Sequence, residues 1–382
     1  MKILFITHET SRTGAPMVLL HFLKWLKVNK PEVVVDVLAL EGGAMESDFK
    51  SNCNRYFNFN ELIMSKPLTI WQLLLLKLRL FKIIDYKAKA IRAFRNDGYQ
   101  VVYANTVLSI PLASTIAAHS KSKLIAHIHE LNVIIQQYLP NLKAYLPTIN
   151  RIIVPSNLVK KNLMANWQVA DSKIIEVYEC SESKHLDDFK TDSKEKSFVI
   201  GASGLVHWRK GHDVFIQVAR YIKTHYPEAN VKFVWVGRIP EKEQATVEAD
   251  LKKLSLQDIV TFIGEVEHPM GYYKNFDVFV MTSREDPFPL VCIEVGMLGK
   301  PIVSFEQATG TNEIIGSDGG FIVPYLNIEA MSDKIMMYYS NKALIKVHGD
   351  YNKVAFSKFT PNIICKQLFD VIVEIYNKPI EP

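Results

Sequence analysis

The sequence predicts an α/β protein built as two doubly wound parallel-sheet domains, one after the other. Short β-branched apolar runs alternate with longer helical patterns along the chain. Those runs are almost continuously apolar, as strands covered on both faces must be. The alternation occurs as two series, before and after a polar stretch from Ser181 to Ser197 that reads as the linker. A length of 382 residues fits two domains of ordinary size.

The first series has strand runs at 2–7, 33–40, 101–104, 124–129 and 152–155. Helical patterns run from Ala15 to Val28, about Leu68 to Arg95, Thr106 to His119 and Ser156 to Asn166, with Ser156 as an N-cap. The second series has strand runs at 198–203, 231–237, 259–264, 278–283, 301–305 and 320–324. Its helical patterns run from Asp213 to His225, Glu241 to Leu254, Leu290 to Leu298 and Ile328 to Tyr339. The expected domains are 1–185 and 191–360, with a last helix at about 362–378 packing back on the first. Ligands of such open sheets sit beyond the carboxyl ends of the strands, so residues that follow strands are the informative ones.

Apolar residues make up 48% of the chain and charged residues 22%, which excludes a disordered or collagen-like protein. The four cysteines are far apart with no Cys-x-x-Cys, against a disulfide scaffold or zinc ribbon and in keeping with a reducing cytoplasm. The opening apolar run, Lys2 to Thr7, is too short for a signal peptide, and no long uncharged apolar window predicts a membrane span. Through residue 190 there are 24 Lys+Arg against 16 Asp+Glu; from 191 on there are 21 against 24. A modestly basic first half fits an anionic partner, a phosphate group or a membrane surface, or a solvated surface without function. Nothing points to nucleic acid. Between Trp71 and Arg95 seven Lys and Arg accompany one acid, Asp85. That basic amphipathic face suggests peripheral contact with an anionic membrane, ordinary packing against the sheet being the alternative.

Four segments carry chemistry. Ser283-Arg284-Glu285-Asp286-Pro287-Phe288-Pro289-Leu290-Val291-Cys292-Ile293-Glu294 follows a strand and opens a helix. Pro287 and Pro289 stiffen the loop, and the unpaired N–H groups at Leu290 and Val291 suit a phosphate. Glu294, one turn inside, suits the two hydroxyls of a ribose, and Asp286 those of a sugar. Gly201-Ala-Ser-Gly204-Leu-Val-His-Trp-Arg209-Lys210-Gly211-His-Asp213 joins a strand to a helix whose expected cap is Asp213. It is not a Gly-x-Gly-x-x-Gly fingerprint. Its cations, Arg209 and Lys210, would stabilise charge developing on a diphosphate. The first strand leads into Thr13-Gly14-Ala15-Pro16, where Gly14 lets backbone approach a ligand and Pro16 suits a first helical turn. His127-Ile128-His129-Glu130 ends a strand, and alternation puts both histidines on one face. The spacing is not that of a helical zinc site, so no metal is expected.

The segment from Asp286 to Glu294 resembles the Glu-x7-Glu motif of retaining GT-B glycosyltransferases of family 4 (glycosyl transferases group 1). Here Asp replaces the first Glu, with Glu285 beside it. Lys210-Gly211 is similar to that family's Lys-Gly pair, while Leu205 stands where the family has an Arg. Thr13-Gly14-Ala15 resembles its Gly-Gly-Ala loop. The resemblance implies a GT-B fold, two Rossmann-like domains facing a central cleft, the first binding acceptor and the second a nucleotide sugar. It implies catalytic roles for His129, Asp286 and Lys210. Gly14, Ala15, Arg209, Glu285, Phe288, Pro289, Leu290, Val291 and Glu294 would bind substrate. It implies hexosyl transfer from a UDP- or GDP-type sugar to a glycan or lipid-linked acceptor, with retention and without cofactor or metal. The setting would be bacterial surface polysaccharide or lipopolysaccharide synthesis, in the cytoplasm or at the inner membrane face. Two rivals remain from the residues: an epimerase of the same fold, and a sugar-binding module without turnover.

Overall fold

The computed structural model describes residues 1–64, 86–182 and 197–379. The chain divides into two compact units. One comprises Met1–Val154, Asn162–Val177 and Cys365–Pro382; the other comprises Pro155–Lys161 and Tyr178–Ile364.

The first unit holds a seven-stranded parallel sheet. Its strands are β1 (Lys2–Thr7), β2 (Val34–Ala39), β3 (Arg55–Asn58), β4 (Val101–Asn105), β5 (Lys123–His127), β6 (Arg151–Val154) and β7 (Ile174–Glu176), in the order β3-β2-β1-β4-β5-β6-β7. Ile3, Leu4, Phe5 and Ile6 of β1 are all fully buried, because helices cover both faces of a central parallel strand. Phe5 meets Phe22 of helix Gly14–Asn29 edge to face. Within this unit Phe369 of the last helix, Pro361–Asn377, lies against Trp25, and Glu374 pairs with Arg151 at 2.8 Å.

The second unit holds a six-stranded parallel sheet of β8 (Phe198–Ser203), β9 (Val231–Val236), β10 (Val260–Gly264), β11 (Val278–Met281), β12 (Ile302–Phe305) and β13 (Gly320–Val323), in the order β10-β9-β8-β11-β12-β13. Its core is aromatic: Phe215 of helix His212–His225 packs against Phe233 and Trp235 of β9. In both sheets the strand order reverses beside the first strand, between β1 and β4 and between β8 and β11. The crevice at such a reversal is where doubly wound sheets place ligands.

Two strands, β3 and β7, lie outside the runs expected from sequence. Both are short, and both are edge strands, so they need no long apolar run. Helix Lys342–Phe356 was also not expected, because Gly349 interrupts its pattern. The packing explains that glycine: a Cβ there would overlap the Gly299 carbonyl oxygen. Of the basic stretch 71–95, residues 71–85 lie outside the described residues, and Tyr86–Arg95 is helical. Among the described residues no helix is long and apolar enough to cross a membrane.

Asp36 ties the edge of the first sheet together. It is fully buried and opposite Arg55 in the β2–β3 register. It accepts from Arg55 Nη2 at 2.7 Å and from the Tyr99 hydroxyl at 2.7 Å. Asp36→Asn keeps the shape but removes the charge that both donors need. Urea unfolding is expected to show a loss of about 2–3 kcal/mol with an unchanged slope.

Candidate active site

In the second unit the site residues come from the loops after β8 and β11, which flank the strand reversal. After β8, Ser203 leads to a single 3-10 turn, Trp208–Lys210, and then to helix His212–His225. Gly211 joins turn to helix with φ +69°, and a Cβ there would overlap the Thr282 carbonyl oxygen at the end of β11. The helix therefore begins at His212 with Gly211 at its cap position. Asp213 is not the expected cap, because its carboxylate is engaged bidentately by Arg284 at 2.9 and 2.7 Å. Arg284 also donates to the Trp208 carbonyl at 2.9 Å and lies over the Trp208 ring. The Arg284 N–H donates to the Arg209 carbonyl at 2.8 Å. These contacts lock the two loops to each other.

The lock sets the functional side chains. Lys210 Nζ donates to Asp286 Oδ2 at 2.6 Å, and Ser283 Oγ to the same oxygen at 3.2 Å. Arg209 Nη1 stands 3.6 Å from Asp286 Oδ1 and donates to the Glu285 carbonyl at 3.3 Å. Lys210 and Asp286 side chains are only 15% and 6% exposed, so water screens this pair poorly. Burial pulls the Lys210 ammonium below its usual range, with Asp286 opposing that shift. Gly211→Ala would force either the turn or the end of β11 to move. A thermal melt is expected to show a loss of about 2 kcal/mol or more, with nucleotide binding lost alongside it.

Pro289 sits at the cap position of helix Leu290–Met297, so Leu290 and Val291 supply the first helical N–H groups. Such donors have no partner inside the helix and favour an anion. One turn in, Glu294 accepts from Ser181 Oγ at 2.8 Å. Burial pushes its carboxyl up to about 7, against the Ser181 hydrogen bond. Burial pushes the Cys292 thiol up, with Asp286 and Glu294 adding to the shift and Thr311 and Lys210 opposing it. Phe288 differs from expectation. It is 2% exposed and packs on Tyr178 and Phe359, so its ring anchors the loop in the core.

Glu313, which follows β12, caps a helix. It accepts from the N–H groups of Asn157 and Leu158 at 3.1 and 2.8 Å, where Asn157–Trp167 begins. Ser156 joins it, accepting from the Val159 N–H at 3.4 Å.

In the first unit the corresponding edge carries a separate polar cluster. β5 ends at His127, so His129 lies two residues beyond the strand rather than on it. Their rings still meet, 3.8 Å apart between centroids and tilted by 38°. His127 Nδ1 bonds the Tyr103 hydroxyl at 2.8 Å, and burial holds the His127 imidazole well below its usual range. His129 Nε2 faces Asn105 Oδ1 at 3.3 Å, and its N–H donates to Glu130 Oε2 at 2.9 Å. Burial raises the Glu130 carboxyl, with His129 and His8 opposing. Gly14 opens its helix with clear space where a Cβ would stand, and Ala15 offers its carbonyl to Asn105 Nδ2 at 3.0 Å. Just before them, Glu9 is held down at about 2, chiefly by His8, with Ser11 and Thr13 also donating to it. Sequence reading passed over Asn105 and gave Ser181 and Ser283 no role in the site. Asn105, a lone polar residue closing an apolar strand at the ligand-facing edge, was the readable signal.

Among the described residues no cluster of His, Cys, Asp and Glu has the arrangement of a metal site. Residues 183–354, which fall within or beside the second unit, match the model of the family described as glycosyl transferases group 1. Over 222 residues the chain is 28% identical to the capsular polysaccharide biosynthesis glycosyltransferase CapM of Staphylococcus aureus, spanning 56% of this chain and 57% of CapM. An uncharacterised glycosyltransferase of Haemophilus influenzae is matched over 40% of its own length. The chain thus spans about half the length of these curated relatives. The amylovoran biosynthesis glycosyltransferase AmsD of Erwinia amylovora is 21% identical over 297 residues, 77% of this chain and 82% of AmsD. Anabaena HepE, solved with UDP and glucose, superposes with a TM-score of 0.80 at 18% identity, over 98% of this chain and 100% of HepE. That likeness establishes the fold as GT-B.

Proposed function

We propose that this protein is a retaining glycosyltransferase of the family 4 type. It moves a hexosyl group from a nucleotide-diphosphate sugar to a hydroxyl of a glycan or lipid-linked glycan, in bacterial surface polysaccharide synthesis. The observation that carries this reading is the buried Lys210–Asp286 pair, with Arg209 beside it and the first N–H groups of helix Leu290–Met297 following in the same loop. Breaking a sugar–phosphate bond leaves charge on the diphosphate, and fixed cations with helix-terminal donors stabilise it as it develops. Glu294 then accepts from the ribose, and Asp286 and Glu285 from the sugar. His129, Gly14 and Ala15 of the first unit serve the transferred sugar and the acceptor. The departing phosphate oxygen takes the proton of the attacking hydroxyl on the same face, so the enzyme contributes orientation and electrostatics. Lys210 and Arg209 take the place of a metal ion. We place the enzyme in the cytoplasm, with the basic stretch about 71–95 as the segment that meets an anionic membrane.

The test is incubation with nucleotide sugars, with and without a glycan acceptor, in excess chelator. Acceptor-dependent product of unchanged anomeric configuration is expected, at an undiminished rate in chelator. An epimer formed without acceptor would instead identify an epimerase, and binding without any product a sugar-binding module. A strict Mg²⁺ or Mn²⁺ requirement would contradict the cation roles of Lys210 and Arg209.

A further inference from the structure

We propose that Asn105 is a positioning residue that fixes both the tautomer and the ring orientation of His129. Asn105 closes β4, level with Thr7 of β1 and His127 of β5. It is 1% exposed. Its Nδ2 donates to the Ala15 carbonyl at 3.0 Å. A carbonyl only accepts, so the carboxamide nitrogen has to face Ala15 and the oxygen has to face away from it. That oxygen stands 3.3 Å from His129 Nε2. An amide oxygen also only accepts, so Nε2 carries the hydrogen. In the neutral ring Nδ1 is then the nitrogen able to accept from a hydroxyl.

Two further observations support this. His127 lies against the His129 ring, with centroids 3.8 Å apart and planes tilted by 38°, and is itself held by the Tyr103 hydroxyl, so one side of the His129 ring is packed while Asn105 holds its edge. Thr106, next in the chain, has φ +128°, a conformation a β-branched residue rarely adopts. Strain of this kind persists only where surrounding contacts hold it. Ser109 Oγ supplies one by donating to the Thr106 carbonyl at 2.9 Å, and His8 Nδ1 stands 3.4 Å from Thr106 Oγ1. The titratable groups that act on His129 include His127, two residues before it at the end of β5, and Glu130 beside it, while His8 from the β1 loop acts on Glu130. The carboxamide thus joins the first turn of helix Gly14–Asn29 to His129, two parts of the first unit that sequence reading had singled out separately.

The inference rests on the glycosyl-transfer reading for its use in catalysis, but its first test needs no substrate. The full chain, labelled with ¹⁵N-histidine, is examined by long-range ¹H–¹⁵N correlation at about pH 8, with His129 assigned by its absence in His129→Gln. The expected spectrum shows His129 neutral and protonated at Nε2. Asn105→Ala is expected to give a mixture of tautomers, and Asn105→Asp, which keeps an acceptor, to retain the Nε2–H form. In transfer assays Asn105→Ala is expected to lower kcat about tenfold or more while donor KM changes less than about twofold. Asn105→Asp is expected to recover part of the loss. A wild-type His129 protonated at Nδ1 would overturn the proposal, as would an Asn105→Ala protein with unaltered spectrum and kcat. The wild-type spectrum decides even if the alanine variant fails to fold. An Nε2–H spectrum with no product from any nucleotide sugar would refute glycosyl transfer while leaving the positioning intact.

Discussion

Lys210→Ala is expected to lower turnover with a nucleotide-diphosphate sugar by about 10²–10³-fold, the scale of removing one preorganised group that stabilises transition-state charge. Lys210 is fixed by the αL turn at Gly211 and by Asp286 at 2.6 Å, so its ammonium needs no reorganisation when a diphosphate departs. Arg209, at 3.6 Å from Asp286, remains near but is longer and more exposed, and should rescue little. The substitution also leaves Asp286 buried beside one cation fewer, so a modest fall in melting temperature is expected with it. Turnover should fall far more than stability explains. Lys210→Arg, which keeps charge but not point geometry, should fall between the two. Steady-state kinetics alongside thermal melts separate these effects, and a wild-type rate for Lys210→Ala would remove the residue from the chemistry.

Glu294→Gln is expected to weaken nucleotide-sugar binding by roughly 10–100-fold at pH 8, since a ribose would lose charge-assisted hydrogen bonds. The pH dependence follows from the same group. In the proposed complex ribose hydroxyls would donate to the ionised carboxylate, and Glu294 binds its proton up to about 7. Binding should therefore strengthen as pH rises through that value and release a proton. A nucleotide sugar is expected to bind about tenfold more weakly at pH 6 than at pH 8, and Glu294→Gln should flatten the dependence. Titration calorimetry in buffers of different ionisation heat checks both. Stability runs the other way. The folded chain holds the Glu294 proton to about 7, whereas the unfolded chain loses it near the ordinary 4.5, so this group's contribution to stability falls as pH rises across that window.

The apolar runs made the central strands legible, because a parallel strand buried on both faces has little freedom in composition. β3 and β7 were not legible, since edge strands carry polar residues such as Arg55 and Glu176 without penalty. The loop after β11 was legible as a chemical unit because two prolines and two spaced acids break the pattern of an ordinary turn. What sequence did not convey was pairing. Arg284 and Asp213 are 71 residues apart, and their ion pair converts an expected helix cap into a clamp between loops. Phe288 looked like a ligand contact from its place in the motif, but only packing reveals that its ring faces Tyr178 and Phe359. Asn105 was overlooked for a similar reason: its two partners, Ala15 and His129, are brought to it by strand order rather than by spacing.

The most direct measurement is a calorimetric titration of wild type, Lys210→Ala and Glu294→Gln with a panel of nucleoside diphosphates and their sugars. The account predicts saturable one-to-one binding of at least one nucleotide by the wild-type chain, markedly weakened in each variant while both remain folded. Absence of binding across the panel, or equal affinity in all three proteins, would contradict the claim that the second unit grips a sugar nucleotide through these two side chains.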